Sequence, residues 1–169
     1  KAEFEDLLMP LIGLDKIIWL PGVRGKDITD GHTDFYARFV RPGVVVAGYE
    51  PDPRYDDHEI TKTHIEMLKE ATDAKGDSQE VEILTAPEWI RPKFDSEDFA
   101  AGYIGYYVCS GAVIAQEFGD RAADAKAKAT LTRLFPDREI IALNVDGIAA
   151  GGGSIHCATQ QEPQAISSS

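Results

Sequence analysis

The sequence predicts an α/β fold assembled from repeated strand–turn–strand–helix–strand modules. Short apolar runs bounded by Gly and Pro alternate with stretches of helical periodicity. The order strand, tight turn, strand, helix, strand occurs twice along the chain. Gly43-Val44-Val45-Val46 and Gly111-Ala112-Val113-Ile114 occupy matching places in the two passages. Units of this kind pack side by side, each burying an apolar face against its neighbour. Two units and a fraction cannot close a ring, so the chain is expected to be a portion of a longer protein.

Taken in order, residues 3–13 read as the end of a helix with Gly13 as terminator. Residues 15–21, DKIIWLP, form a short apolar run that reads as a buried strand, and the Gly- and Asp-rich 22–31 as a loop. TDFYARFV (33–40) opens the first module. Arg41-Pro42-Gly43 is turn chemistry, followed by the strand VVVAGY (44–49). A helix is predicted over 57–75, with Ile60, His64, Met67, Leu68 and Ala71 on one face and Gly76 at its end. VEILT (81–85) is the next strand and 86–98 a loop. The second module has strands at 102–108 and 112–118 around Ser110-Gly111. A helix follows over 120–135, with Asp120 as N-cap and Ala123, Ala127, Leu131 and Leu134 facing inward. Pro136-Asp137 stops it before the strand 138–144.

Composition narrows the function classes. The 169 residues carry 29 acidic against 17 basic side chains, a formal net charge of -12. That balance repels a phosphate backbone, and no Lys/Arg cluster offsets it, so no nucleic-acid partner is expected. An acidic surface suits a cationic substrate and equally suits plain solubility. No apolar stretch approaches the ~20 residues of a membrane span, so no membrane partner is expected. No signal-peptide pattern stands at Lys1, where the sequence begins within an amphipathic segment. Two cysteines, Cys109 and Cys157, do not make a disulfide framework. The compartment stays open between cytoplasm, the expected one, and secretion.

Two short stretches could carry chemistry. In DGHTD, an extended backbone would point Asp30, His32 and Asp34 to one face. A histidine flanked by carboxylates has its charged form favoured and suits proton transfer near neutrality. The same pattern equally fits an Asx-type turn with a solvated histidine. In GGGSIHCATQQ, Cys157 follows Gly151-Gly152-Gly153, which allow positive φ or close approach of a ligand to backbone. A thiol there needs a base or positive neighbour to become a nucleophile. His156 is adjacent, but on a strand it would face away, so His32 would have to reach Cys157 through the fold. Asp56, Asp57, His58 and Glu59 read as a solvated helix start rather than a metal site. His64 and Cys109 read as core, Trp19 and Trp89 as packing or pocket walls. No Cys/His spacing matches zinc.

WLPG (19–22), TDGHTD (29–34), ARFV (37–40), FGD (118–120), LFPDRE (134–139) and GGGSIHCATQQ (151–161), in this order and spacing, resemble the agmatine deiminase and bacterial-type peptidylarginine deiminase family. The resemblance implies an α/β propeller (pentein) of five ββαβ modules. Residues 1–169 would be the C-terminal portion of one propeller domain, about two modules plus the Cys157 segment. It implies hydrolysis of a guanidinium to a ureido group and ammonia, without metal or organic cofactor. Cys157 would be the nucleophile, His32 the general acid/base and Asp34 a guanidinium-binding carboxylate, with Asp30 beside it on the substrate. The partners implied are a small-molecule or peptidyl guanidine and the N-terminal half of the same protein, which carries the other guanidinium-binding carboxylate; a homo-oligomer is compatible. Gly105 and Ser110 stand where agmatine deiminases tend to carry Asn, so agmatine, peptidylarginine and free arginine all remain candidate substrates. Two other readings use the same residues: a non-catalytic binding module derived from the propeller, and an amidinotransferase. Retention of His32, Asp34 and Cys157 together favours the hydrolase.

Overall fold

The computed structural model describes residues 1–25, 30–91 and 98–163. Two compact units divide the chain, Lys1–Leu84 and Thr85–Ser169.

In the first unit, helix α1 (Ala2–Ile12) ends at Gly13, which adopts a left-handed φ of 67°. Phe4 meets the Trp19 ring edge-on at 6.2 Å, and the Trp19 indole N–H donates to Glu5. The predicted strand at 15–21 is corrected: that run pairs with no strand among the described residues. It lies as irregular chain whose Ile18 and Leu20 pack on the core formed by Ala37, Val45, Ala47, Ile65 and Leu68. Its apolar residues are buried by α-helix and sheet side chains, which periodicity cannot distinguish from strand pairing. TDFYARFV divides into a helical turn α2 (Thr33–Tyr36) and strand β1 (Ala37–Arg41).

β1 pairs antiparallel with β2 (Val44–Tyr49) across a two-residue turn whose Gly43 sits at φ 75°. A Cβ on Gly43 would meet nothing within 4 Å, so the glycine serves the dihedral and not the space. With β3 (Glu80–Thr85) the sheet order is β1-β2-β3. β2 is therefore the middle strand, buried from Val44 to Ala47, which explains its unbroken apolar run.

Helix α3 (Asp57–Glu70) buries Thr61, His64, Ile65 and Leu68. It stops short of the predicted residue 75. Asp73 takes over the chain there: its Oδ1 accepts from the Lys75 and Asp77 amides, and its own N–H donates to the Asp77 carbonyl. This local closure competes with the helix and wins. Ala71 is consequently the C-cap and not an inward-facing position.

The second unit repeats the plan. β4 (Tyr107–Cys109), β5 (Ala112–Glu117) and β6 (Glu139–Asn144) form a sheet of order β4-β5-β6, the first pair antiparallel and the second parallel. Gly111 sits at φ 80° in the turn. The Glu80 amide donates to the Gly43 carbonyl at 2.8 Å, and Glu139 donates to Gly111 at 2.9 Å, so the two modules share this hydrogen bond as well. The predicted strand 102–108 is corrected: only its last two residues extend, within β4. Gly102–Tyr106 is irregular chain with Tyr103, Ile104 and Tyr106 buried. Its apolar content reflects depth, and its two glycines interrupt pairing.

Helix α4 (Arg121–Leu134) is capped by Asp120, whose Oδ1 accepts from the Ala122 and Ala123 amides. Oδ2 accepts from the Glu88 amide, tying the preceding loop to the helix start. Ala127, Leu131 and Leu134 are buried as predicted, on a helix that packs against β5 and β6. Tyr103 is buried and donates to Asp124 at 2.8 Å; burial, then the carboxylate beside it, holds its hydroxyl firmly protonated. After β6 come a short helix α5 (Asp146–Ala149) and a 3₁₀ turn at His156–Ala158. Among the described residues no helix is long and apolar enough to cross a membrane.

Asp120→Ala removes two helix-capping bonds and the partner of the Glu88 amide. It is expected to lower unfolding stability by about 1–2 kcal/mol, measured by urea denaturation, with the far-ultraviolet spectrum of the folded state unchanged.

Candidate functional site

The DGHTD segment belongs to the first unit and the Cys157 segment to the second. Each is held by its own unit's backbone.

DGHTD is not extended. Asp30 adopts a left-handed φ of 56°, the only positive φ of a non-glycine among the described residues, and its Oδ1 accepts from the Gly25 amide at 2.7 Å. Thr33–Tyr36 is helical, with His32 at its N-cap in an extended conformation. The expectation that Asp30, His32 and Asp34 share one strand face is thus corrected, because the stretch turns at Asp30 and coils after His32. Asp34 Oδ1 stands 3.6 Å from His32 Nδ1, within electrostatic reach and longer than a hydrogen bond. The His32 ring is 62% exposed, Asp34 24%. Thr29 and part of the loop read at 86–98 lie outside the described residues.

The WLPG motif explains the turn. A Cβ on Gly22 would stand 2.2 Å from the Asp30 carbonyl oxygen, so only glycine lets the two backbones meet. Gly31 lies against Gly22 Cα and the Tyr36 ring, at φ 104°. The Tyr36 hydroxyl donates to Asp57 Oδ1 at 3.0 Å, which fastens α2 to the start of α3. Asp57 and His58 are thereby occupied: His58 Nδ1 bonds the Glu50 carbonyl at 2.8 Å. Among the described residues no three His, Cys, Asp or Glu side chains are grouped to hold a metal.

Cys157 is exposed and sits in the 3₁₀ turn, not on a strand. The premise that His156 must face away from it is therefore corrected; adjacent residues in a 3₁₀ turn are about a third of a revolution apart. Cys157 Sγ lies 3.2 Å from Ser154 Oγ, a buried hydroxyl able to donate to a thiolate. The glycine run closes α5: Gly151 and Gly153 donate to the Ile148 carbonyl and Gly152 to Ala149, with Gly152 at φ 78°. Gly105 receives the segment. Its carbonyl accepts from the His156 amide at 2.9 Å, and a Cβ there would stand 2.2 Å from Ser154 Cβ. Gln116 supports Gly105 from beneath, donating to the Gly102 carbonyl at 2.6 Å.

Arg91 anchors α5 from the loop 86–98. Its Nη1 bonds both oxygens of the fully buried Asp146, at 2.9 and 3.0 Å, and Nη2 pairs with Glu117. Cys109, read as core, is half-buried and offers its thiol to the Ala112 carbonyl. Trp89 is exposed, while Trp19 packs under α1. Ser154, Arg91 and Asp146 escaped the sequence reading, since their roles exist only across the fold, and Gly105 was singled out only as a departure from the family pattern, not as the seat of the Cys157 segment.

The family model for Porphyromonas-type peptidyl-arginine deiminase matches residues 1–163. A Streptomyces coelicolor protein with a provisional agmatine deiminase name is 39% identical over 97% of this chain and 49% of its own length. The agmatine deiminase of Medicago truncatula is 34% identical over 96% of this chain and 48% of its own. Among solved structures, agmatine deiminase of Enterococcus faecalis superposes with a TM-score of 0.88 at 29% identity, over 98% of this chain and 49% of that one. The chain spans about half the length of the curated relatives it matches.

Two expectations follow from the geometry. Gly105→Ala forces the Ser154 segment to move; it should cost about 1–3 kcal/mol in urea unfolding and change the alkylation rate of Cys157. Separately, burial pushes the Glu50 carboxyl above its ordinary range; the Asp52 amide opposes this and the charges of Asp52 and Asp57 add to it. A raised folded pKa means stability fully present below about pH 4.5 and lost as pH rises through the folded value. Glu50→Gln should therefore be more stable than the parent near neutrality and lose that advantage in acid, read from unfolding midpoints across pH.

Proposed function

Because the chain belongs to the Porphyromonas-type peptidyl-arginine deiminase family, we infer that it is one half of an enzyme hydrolysing a guanidinium group to a ureido group and ammonia. The observation that carries the reading is the joint presence, in a chain of this family, of an exposed thiol supported by a buried hydroxyl and a histidine–carboxylate pair.

Guanidinium is planar and resonance-stabilised, so its central carbon resists attack. A carboxylate can take two of its N–H groups and hold both orientation and positive charge beside the sulfur. Asp34 fills that role, with Asp30 on the substrate side through the oxygen not engaged by Gly25. The bound cation favours thiolate over thiol at Cys157. Sγ attacks the central carbon, forming a C–S bond and a tetrahedral adduct. Protonated His32 gives its proton to the departing nitrogen as the C–N bond breaks, releasing ammonia and leaving a covalent thiouronium. Neutral His32 then takes a proton from water, the hydroxide adds to the same carbon, and the C–S bond breaks to return the thiolate as the added hydroxyl gives up its proton, which leaves with the ammonia as ammonium beside the ureido product. Carbon, nitrogen and sulfur keep their oxidation states throughout. Agmatine, peptidylarginine and free arginine all carry the group this scheme acts on; the agmatine deiminases among the relatives favour agmatine.

The two modules are read as part of a five-module α/β propeller completed by a second half of similar length. That half brings the other guanidinium carboxylate, and these 169 residues alone turn over no substrate. Side chains and water suffice for every step, so no cofactor is invoked.

In the complete enzyme, a haloacetamidine should alkylate Cys157 far faster than Cys109, located by peptide mass spectrometry; equal labelling removes Cys157 as nucleophile. His32→Ala should lower kcat at least about a thousandfold while the unfolding midpoint stays near that of the parent.

A further inference from the structure

Nothing above gives a task to His64. It is 2% exposed on the inner face of α3, where an aliphatic side chain would pack at lower cost. Its Nδ1 has no hydrogen-bond partner among the described residues. A ring placed for its own satisfaction would not leave that nitrogen unpaired. What the ring does make is two attachments. Nε2 lies 2.7 Å from the Pro21 carbonyl oxygen, which can only accept, so Nε2 carries the hydrogen and donates. The ring also meets Tyr36 edge-on, centroids 4.9 Å apart at 80°.

These attachments fall on either side of His32. Pro21 leads into Gly22, whose Cα backs Gly31 and whose Cβ position is closed by the Asp30 carbonyl. Tyr36 ends the helical turn that begins after His32, and its ring lies over Gly31. One imidazole thus fixes the chain before the turn and the side chain after it. His32 itself is mostly exposed, so its direction is set by this backing and not by enclosure.

We propose that His64 is a positioning residue for His32, holding the Pro21–Gly22 platform and the Tyr36 ring on which the Asp30–Asp34 turn is built. The proposal rests on the reading of His32 as the acid/base. A small displacement of a catalytic group costs up to about a hundredfold in rate, which sets the size of the effect.

The test uses the complete enzyme acting on agmatine, with ammonia release as the readout. His64→Phe keeps ring volume and the contact with Tyr36 but has no donor for Pro21. Expected is a kcat lower by about 10- to 100-fold with KM within about threefold of the parent. His64→Gln, which can return an N–H to the Pro21 carbonyl, is expected to recover most of that loss; His64→Asn, too short to reach, is not. An unchanged kcat per folded His64→Phe enzyme overturns the proposal. If that variant does not fold, equal kcat values for the Gln and Asn variants overturn it instead. His32→Ala, measured in parallel, separates the two ideas. Activity surviving in His32→Ala sinks the acid/base reading, whereas a dead His32→Ala beside a fully active His64→Phe sinks only the positioning role.

Discussion

A Cβ on Gly22 would stand 2.2 Å from the Asp30 carbonyl oxygen, and one on Gly105 would stand 2.2 Å from Ser154 Cβ. Real side chains do not tolerate such distances, so both candidate segments depend on chain approaching chain more closely than any residue but glycine permits. The dependence differs from that of the turn glycines. Gly43 and Gly111 have open space around them and are needed for positive φ. Gly22 and Gly105 are needed for room. Each lets a loop rest on its own unit with close chain-to-chain contact, which leaves fewer rotatable bonds between support and loop than a contact through long side chains would. Asp30 and Cys157 are both exposed, and loop residues at a surface hold a geometry only when so backed.

That backing is in turn held by polar anchors buried in each unit. In the first, α3 supplies His64 to Pro21 and Asp57 to Tyr36. In the second, Arg91 grips Asp146 at the start of α5, and Gln116 of the central strand grips Gly102. The Asp146 carboxylate is 1% exposed and would be costly without its bidentate guanidinium partner. Burial and pairing together fix where α5 begins, and the glycine run fixes where it ends. The thiol follows within a few residues.

The regular elements were legible in the sequence because their physics is local. The middle strands β2 and β5 announce themselves as apolar runs next to turn residues. Asp120 announces α4 because a cap needs only its own next three residues. The failures share one cause, apolar residues buried by tertiary contact rather than by pairing. Ile18 and Leu20 looked like a strand and are loop, and Tyr103 and Tyr106 looked like a strand and are buried chain. At the candidate site, residue types were readable and geometry was not. DGHTD is compatible with an extended stretch and with a turn, and the structure takes the second course: Asp30 turns the backbone and α2 coils it. His156 was set aside on a strand argument that the 3₁₀ turn removes. Ser154 carried no signal at all, because a serine beside a thiol matters only once a fold has put it there.

The repeat also shows how one module plan serves two purposes. In both units the chain reaches its first strand through a glycine-containing approach, DGHTDFY before β1 and GYIGYY before β4. The first approach is exposed and polar, and carries His32 and Asp34. The second is buried, with Tyr103, Ile104 and Tyr106 all at 1% exposure, and serves as the seat for the segment that carries Cys157. All thiols lie in the second unit, and His32, His58 and His64 in the first. The shared sheet, turn and Gly-carbonyl hydrogen bond are the scaffold, and the approaches to the first strand are where the two units differ most in burial.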